Sequence, residues 1–319
     1  MGCVSPYYVK EKRFGHLEEF AVPCGRCDSC KRTRINQWVF RLEQQDKVAH
    51  SSYFVTLTYD NDYVPITENR YLTLVKEDFQ KYIKRLRWHD REARKRAGDF
   101  RYYKDIPSYN PIRYYACGEY GSKRARPHYH AIIFDVYDEE SIFKAWKLGK
   151  VHIGTVTEES IAYTAKYIDK TGAQKIPKFY LKDDDRIPEF SLQSTKLGIN
   201  YVQEIIKKDG SRDVVRPKES TLRYHKADLT RNFVTTRNGY KVPIPRYYAE
   251  RIFTEEENDR RRILAKKSLR ESDARSRREH RNKFSKETRS GREGFKYSDV
   301  KREQLISQTQ NKNSRQKKL

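Results

Sequence analysis

His128-Tyr129-His130-Ala131-Ile132-Ile133-Phe134 is the stretch on which the reading of this 319-residue chain turns. Its apolar, β-branched and aromatic run, entered just after Pro127, reads as a strand. Working outward, residues 112–117 read as a strand on one side. Tyr53-Phe54-Val55-Thr56-Leu57-Thr58-Tyr59 reads as another, ended by the turn formers Asp60-Asn61-Asp62. Residues 151–156 give a fourth strand. It leads into a helix over residues 161–170, with Thr157 as N-cap, Glu158 and Glu159 in the first turn and Thr171-Gly172 as the stop. Residues 76–97 predict a helix with Phe79, Ile83 and Leu86 inward and basic residues outward. Strands that return through hairpins and helices predict an α+β fold, a mostly antiparallel central sheet flanked by helices.

Side chains alternate across a strand, so His128 and His130 project from one face. Two imidazoles on a rigid strand can grip one divalent ion if an oxygen ligand joins them. Glu119 lies nine residues upstream of His128, across the short connection of residues 121–127. Imidazole plus carboxylate suits Mn2+, with Mg2+ the usual cellular alternative. On the helix, Tyr163 and Tyr167 are four residues apart and share a face, with Lys166 and Lys170 on or beside it. A phenol titrates near pH 10. It becomes a plausible nucleophile where a lysine and a metal-bound phosphate stabilise the developing phenolate. An H-x-H on a strand is also a common packed pair, and a tyrosine pair at this spacing is usually core in a chain with 24 tyrosines.

Four of the five cysteines fall in the first 30 residues: Cys3, Cys24, Cys27 and Cys30. The run Cys24-Gly25-Arg26-Cys27-Asp28-Ser29-Cys30 spaces three thiols at intervals of three, and a hairpin can return Cys3 to them. A tetrahedral zinc site with four thiolates is one reading, and reduced structural thiols are the other. An iron–sulfur cluster is a third, and disulfides fit least because no export signal is read at the N-terminus. Residues 31–45 follow as a helix with Ile35, Trp38, Val39 and Leu42 at helical spacing.

The formal charge is +24, from 68 Lys and Arg against 44 Asp and Glu. Residues 260–319 hold 21 basic and 7 acidic residues, so more than half of the excess sits in a tail poor in apolar residues. Such a stretch reads as a mobile basic arm, helical near residues 255–270, that holds a polyanion with salt-dependent affinity. A solvating tail without a partner is the plainer alternative. No apolar run approaches the ~20 residues of a membrane span, and residues 1–19 lack the apolar centre of a secretory signal. A membrane or exported protein is therefore not expected. Tyr102, Tyr103, Arg113, Tyr114 and Tyr115 mix aromatic and basic character, read either as a stacking surface for single-stranded bases or as strand core. Arg126, just ahead of the histidine strand, is a candidate DNA contact. The boundaries expected are a Cys-rich module and helix over residues 1–50, a core over 51–175, an accessory β-rich extension over 176–253 and the basic, partly helical or disordered tail over 254–319.

The order Phe54-Val55-Thr56-Leu57-Thr58-Tyr59, His128-Tyr129-His130, then Tyr163-Thr164-Ala165-Lys166-Tyr167-Ile168-Asp169-Lys170 resembles the three motifs of HUH endonucleases that initiate rolling-circle replication. The chain looks most like the replication initiators of the Microviridae, in particular their gokushovirus branch. Cys24-Gly25-Arg26-Cys27 with Arg34 and Trp38, Pro188-Glu189-Phe190-Ser191-Leu192 and Ile244-Pro245-Arg246-Tyr247-Tyr248 carry the same resemblance, which spans roughly residues 1–250. It implies a Rep-type endonuclease core. It also implies Mg2+ or Mn2+ on His128, His130 and Glu119, and a motif-three tyrosine that leaves a 5′-phosphotyrosine and a free 3′-OH. In two-tyrosine members Tyr163 and Tyr167 would alternate, with Lys166 stabilising the phenolate and Lys170 meeting a phosphate. A host polymerase would extend the 3′-OH and a host helicase would unwind, in the cytoplasm of a bacterial cell. The chain has no G-x-x-x-x-G-K-[ST] of its own. The rival readings are a non-catalytic, zinc-stabilised nucleic-acid-binding regulator and a relaxase or transposase of a mobile element.

Overall fold

The structure is a computed structural model that describes residues 3, 7–13, 16–98, 111–122, 124–166, 183–206, 214–289 and 307. The chain divides into two compact units. One comprises Met1–Thr33, His225–Asn232 and Ala249–Leu319, the other Arg34–Tyr224 and Phe233–Tyr248.

In chain order, a hairpin of β1 (Tyr7–Arg13) and β2 (His16–Val22) precedes helix α1 (Asp28–Asp46). Then come β3 (Ser52–Tyr59), α2 (Lys76–Arg96), β4 (Arg113–Tyr120), β5 (Pro127–Phe134), α3 (Glu140–Ala145), β6 (Gly149–Thr155), α4 (Glu158–Lys166) and β7 (Phe190–Gln193). Two small hairpins and two helices follow: β8 (Gln203–Ile206), β9 (Val214–Pro217), α5 (Glu219–Lys226), β10 (Phe233–Thr235), β11 (Lys241–Pro243) and α6 (Arg246–Ile252). Helix α7 (Glu255–Arg289) is the last long element described.

Five strands form one sheet in the order β6-β3-β5-β4-β7, every neighbouring pair antiparallel. The expected α+β layer with a mostly antiparallel sheet is therefore present. Alternation along β3 decides which residue faces which helix. Val55, Leu57 and Tyr59 are buried in a core with Phe79, Tyr82, Ile83 and Leu86 of α2 and with Tyr129, Ala131 and Ile133 of β5. The opposite face of β5 offers Ile132 and Phe134 to Leu42 of α1 and to Ile161 and Ala165 of α4. Each such side chain withdrawn from water contributes about 1.5–3 kcal/mol, so helices on both faces hold the central strand between two apolar layers. Gly149 is required where β6 starts. Its φ is 153°, and a Cβ there would lie 2.3 Å from the Thr58 carbonyl oxygen.

Boundaries differ from the sequence reading in instructive ways. β4 runs on to Tyr120 rather than stopping at residue 117, because Glu119 and Tyr120 still pair with His128 and Pro127. The accessory β-rich extension expected over residues 176–253 supplies β7 to the main sheet, and it also contains helices. Helix α7 extends well past residue 270, starting from a reciprocal capping box. Glu257 N–H donates to Thr254 Oγ1 at 3.2 Å, and Thr254 N–H to Glu257 Oε2 at 2.8 Å. No Pro or Gly interrupts residues 255–289. Among the described residues no helix is long and apolar enough to cross a membrane.

Candidate active site

Strand register places the candidate ligands. Glu119 on β4 stands directly opposite His128 on β5, and His130 stands opposite Thr56 on β3. Glu119 Oε1 lies 2.6 Å from His128 Nε2 and 3.1 Å from His130 Nε2. The two imidazoles are 5.0 Å apart and perpendicular, so their Nε2 atoms converge on one carboxylate oxygen. Both Nδ1 atoms are occupied on the far side: His128 Nδ1 donates to the Arg126 carbonyl at 3.1 Å, and His130 Nδ1 lies 3.0 Å from Thr56 Oγ1. For His128 the carbonyl acceptor fixes the tautomer and leaves Nε2 as the ligand atom, and for His130 the Thr56 hydroxyl sets the ring orientation.

Glu119 and His130 are buried, at 5 % and 8 % exposure. A carboxylate removed from water needs a cation or protonated partner. Burial works against the charged form of His128, but the hydrogen bond to Glu119, the Arg126 carbonyl and the nearby carboxylates overcome it, so its pKa is raised. A proton on His128 Nε2 and a divalent ion compete for the same lone pair. The ligand atoms of Glu119, His128 and His130 all lie within 4.8 Å of one another. Two imidazole nitrogens and a carboxylate, turned inward and braced from behind, fit a divalent cation, and the three residues form a candidate metal site.

Tyr163 projects from α4 beside this trio. The helix is seated by Ile161 and Ala165, both fully buried, and its start is closed by Thr157. Ser160 N–H donates to Thr157 Oγ1 at 3.2 Å, and Thr157 N–H donates to Ser160 Oγ at 2.8 Å. The Tyr163 ring is 42 % exposed, meets His130 edge-on with centroids 5.5 Å apart, and lies 6.4 Å from Phe54. Phe54 stacks flat on His130 at 5.5 Å and 7°. Tyr167 and Lys170 lie outside the described residues, as does the side chain of Lys166 at the end of α4.

A cleft of about 460 Å³ opens next to His128, with Thr58, Asp60, Asn61, Arg126 and Lys150 on its walls. Arg126 is fixed there, donating to Asn61 Oδ1 at 2.9 Å and to the Tyr59 carbonyl at 2.6 Å. Tyr115, by contrast, is fully buried against Trp38, with ring centroids 5.0 Å apart, and Tyr114 packs on Phe79 at 5.4 Å. Of the two readings for the aromatic and basic run, these two residues are core. Tyr102 and Tyr103 lie outside the described residues. Thr56, Phe54 and Lys150 received no role from sequence reasoning, although the first two stand in the motif-one stretch.

In the other unit Cys3, Cys24, Cys27 and Cys30 come together. Cys3 and Cys27 have sulfurs 3.8 Å apart, Cys24 and Cys30 4.0 Å, and all four sulfurs lie within 4.8 Å of one another.

Comparison with known proteins agrees with the motifs. The family described as replication-associated protein ORF2/G2P matches residues 52–172, the stretch that carries the trio, Tyr163 and Tyr167. The replication-associated protein VP4 of Bdellovibrio phage phiMH2K is 26 % identical over 261 residues, covering 76 % of this chain and 71 % of that protein. The replication-associated protein ORF2 of Spiroplasma virus 4 is 27 % identical, over 73 % of this chain and 68 % of that one. For the replication-associated protein ORF4 of Chlamydia phage 1 the identity is 24 %, over 76 % of this chain and 55 % of that protein. The chain is similar to replication-associated proteins of phages and of Spiroplasma virus 4. No solved structure matches.

Proposed function

We propose that this chain, similar to phage replication-associated proteins, initiates rolling-circle replication by nicking single-stranded origin DNA and later rejoining the strand. One observation carries the reading: Glu119, His128 and His130 converge within 4.8 Å of one another, with Tyr163 edge-on to His130, inside the stretch matched by the replication-associated family. A non-catalytic DNA-binding regulator has no use for that juxtaposition.

In this reading the phenolic oxygen of Tyr163 attacks the scissile phosphorus. The new bond joins tyrosine to the 5′ phosphate, the bond to the 3′ oxygen breaks, and the released 3′ oxygen takes a proton to become a primer end. The phenol loses its proton in the attack, and Lys166 stabilises the phenolate charge. Mg2+ or Mn2+ held by Glu119, His128 and His130 would neutralise phosphate oxygens and make the phosphorus more electrophilic. The Arg126 carbonyl holds His128 in the tautomer that leaves Nε2 to ligate, and the Thr56 hydroxyl orients His130 through Nδ1. Tyr167 serves as the second nucleophile after one circuit. The old phosphotyrosine bond is exchanged for a new phosphodiester, so no nucleotide is consumed in joining. Arg126, in the cleft wall, and Lys170 contact the strand. Host helicase and polymerase supply unwinding and extension, in the bacterial cytoplasm.

The test is incubation with end-labelled single-stranded phage DNA and Mn2+ or Mg2+, resolved under denaturing conditions, with Tyr163→Phe, Tyr167→Phe, the double variant and His128→Ala alongside. A covalent adduct is expected that needs metal, is lost in His128→Ala, Tyr163→Phe and the double variant, and persists in Tyr167→Phe. DNA binding without an adduct in any condition would overturn the nicking mechanism in favour of the regulator.

A further inference from the structure

The N-terminal cysteine cluster plays no part in the nicking chemistry, and its geometry decides among the readings its sequence leaves open. We propose that Cys3, Cys24, Cys27 and Cys30 bind one Zn2+ ion as a closed, structural four-thiolate site that clasps the open end of the β1–β2 hairpin to the start of α1.

Distance is the first argument. A zinc–sulfur bond is about 2.3 Å, which sets the sulfur–sulfur edge of a regular tetrahedron at about 3.8 Å. The Cys3–Cys27 and Cys24–Cys30 separations are 3.8 and 4.0 Å, and no pair of the four sulfurs exceeds 4.8 Å. That spread suits a single ion. A polynuclear iron–sulfur cluster interposes irons and sulfides between its ligands and holds the thiolates wider. A disulfide needs about 2.05 Å, with the cysteines paired two by two.

Backbone donors supply the second argument. Cys24 N–H donates to Cys3 Sγ at 3.3 Å, while Arg26 N–H and Cys27 N–H donate to Cys24 Sγ at 3.4 and 3.3 Å. Gly25, at φ 70°, makes the turn that aims the last two back at that sulfur. Hydrogen bonds offered to sulfur are what a metal-bound thiolate accepts, as an outer layer around its ligands.

Tyr7, Tyr8, Val9 and Val22, flanking the hairpin's open end, are 42–66 % exposed. Apolar side chains left in water at the open end contribute little to holding it closed, and small modules of this kind are folded by their metal. Cys3 precedes β1, Cys24 follows β2, and Cys30 sits in the first turn of α1, so one ion ties three pieces of chain. The four thiols release their protons as it binds. The ligand set is closed, leaving no position for substrate, which marks the site as structural.

The experiment uses the full chain. Metal content is measured on protein purified without added metal, for the wild type and for His128→Ala, Cys24→Ser and Cys27→Ser. One zinc per chain is expected in the wild type and in His128→Ala, falling to buffer background in both cysteine variants. The apo chain reloaded with Co2+ should show the thiolate charge-transfer and tetrahedral ligand-field bands of a four-sulfur site, unchanged in His128→Ala. Zinc removal should open the N-terminal segment to limited proteolysis, and zinc return should protect it. Wild-type protein in which Cys3, Cys24, Cys27 and Cys30 stay titratable and no zinc is held would overturn the proposal, as would bound iron or disulfides. None of these outcomes depends on whether the chain nicks DNA.

Discussion

His130 is braced from three sides, and each brace has a different role. Phe54 covers its ring, Thr56 occupies Nδ1, and Glu119 meets Nε2. Replacing Thr56 with Val keeps volume and β-branching but removes the hydroxyl. His130 is then expected to lose its fixed orientation, and affinity for Mn2+ to fall at least ~10-fold, the usual cost of losing such an outer hydrogen bond. Titration of the apo chain with Mn2+ by calorimetry checks this, and Thr56→Ser should restore the affinity. Equal affinity in Thr56→Val would show that the hydroxyl plays no positioning part. The histidines and Glu119 were legible in the sequence because alternation along a strand is local. The Thr56 contact was not, because it depends on which residue of β3 falls opposite His130, and register is set by the whole sheet.

At the level of elements, α4 shows how a short helix is positioned by its ends and its seat. Thr157 and Ser160 exchange hydrogen bonds across the first turn, while Ile161 and Ala165 rest on the sheet. Thr157→Ala removes the cap, and is expected to cost about 1 kcal/mol of stability. It should also lower the rate of adduct formation, because the first turn that orients Tyr163 frays. Thermal melts and single-turnover cleavage measure the two effects. A full loss of stability with no change in rate would mean that the first turn does not position the tyrosine. The cap itself was readable from sequence, as were the long helices and the apolar strands. β7 was not: its four residues join the sheet through pairing with β4, more than 70 positions away, and nothing in Phe190-Ser191-Leu192-Gln193 names that partner.

For the whole molecule, charge is the property that the sequence states most directly. Residues 290–319 carry eight basic and three acidic residues. A chain ending at Arg289 is expected to bind single-stranded DNA more weakly and with less dependence on salt. Each lost phosphate contact should flatten the slope of log K against log salt by about 0.7. Fluorescence anisotropy at a series of salt concentrations reads this out, and an identical slope would mean that the removed stretch only solvates. The division into two units was less legible, since each is assembled from separated stretches of chain.

β5 is the middle strand of five, hydrogen-bonded on both edges and covered by apolar side chains on both faces. Amides in such a strand are the last to exchange with solvent, because they are released only when the whole sheet opens. The imidazoles are therefore mounted on a strand held from both edges and both faces. In the proposed metal site the ligands would be ordered before a cation arrives, so little of its affinity would be lost to organising them. Local fluctuations that free a loop or fray a helix end leave the pair where it is.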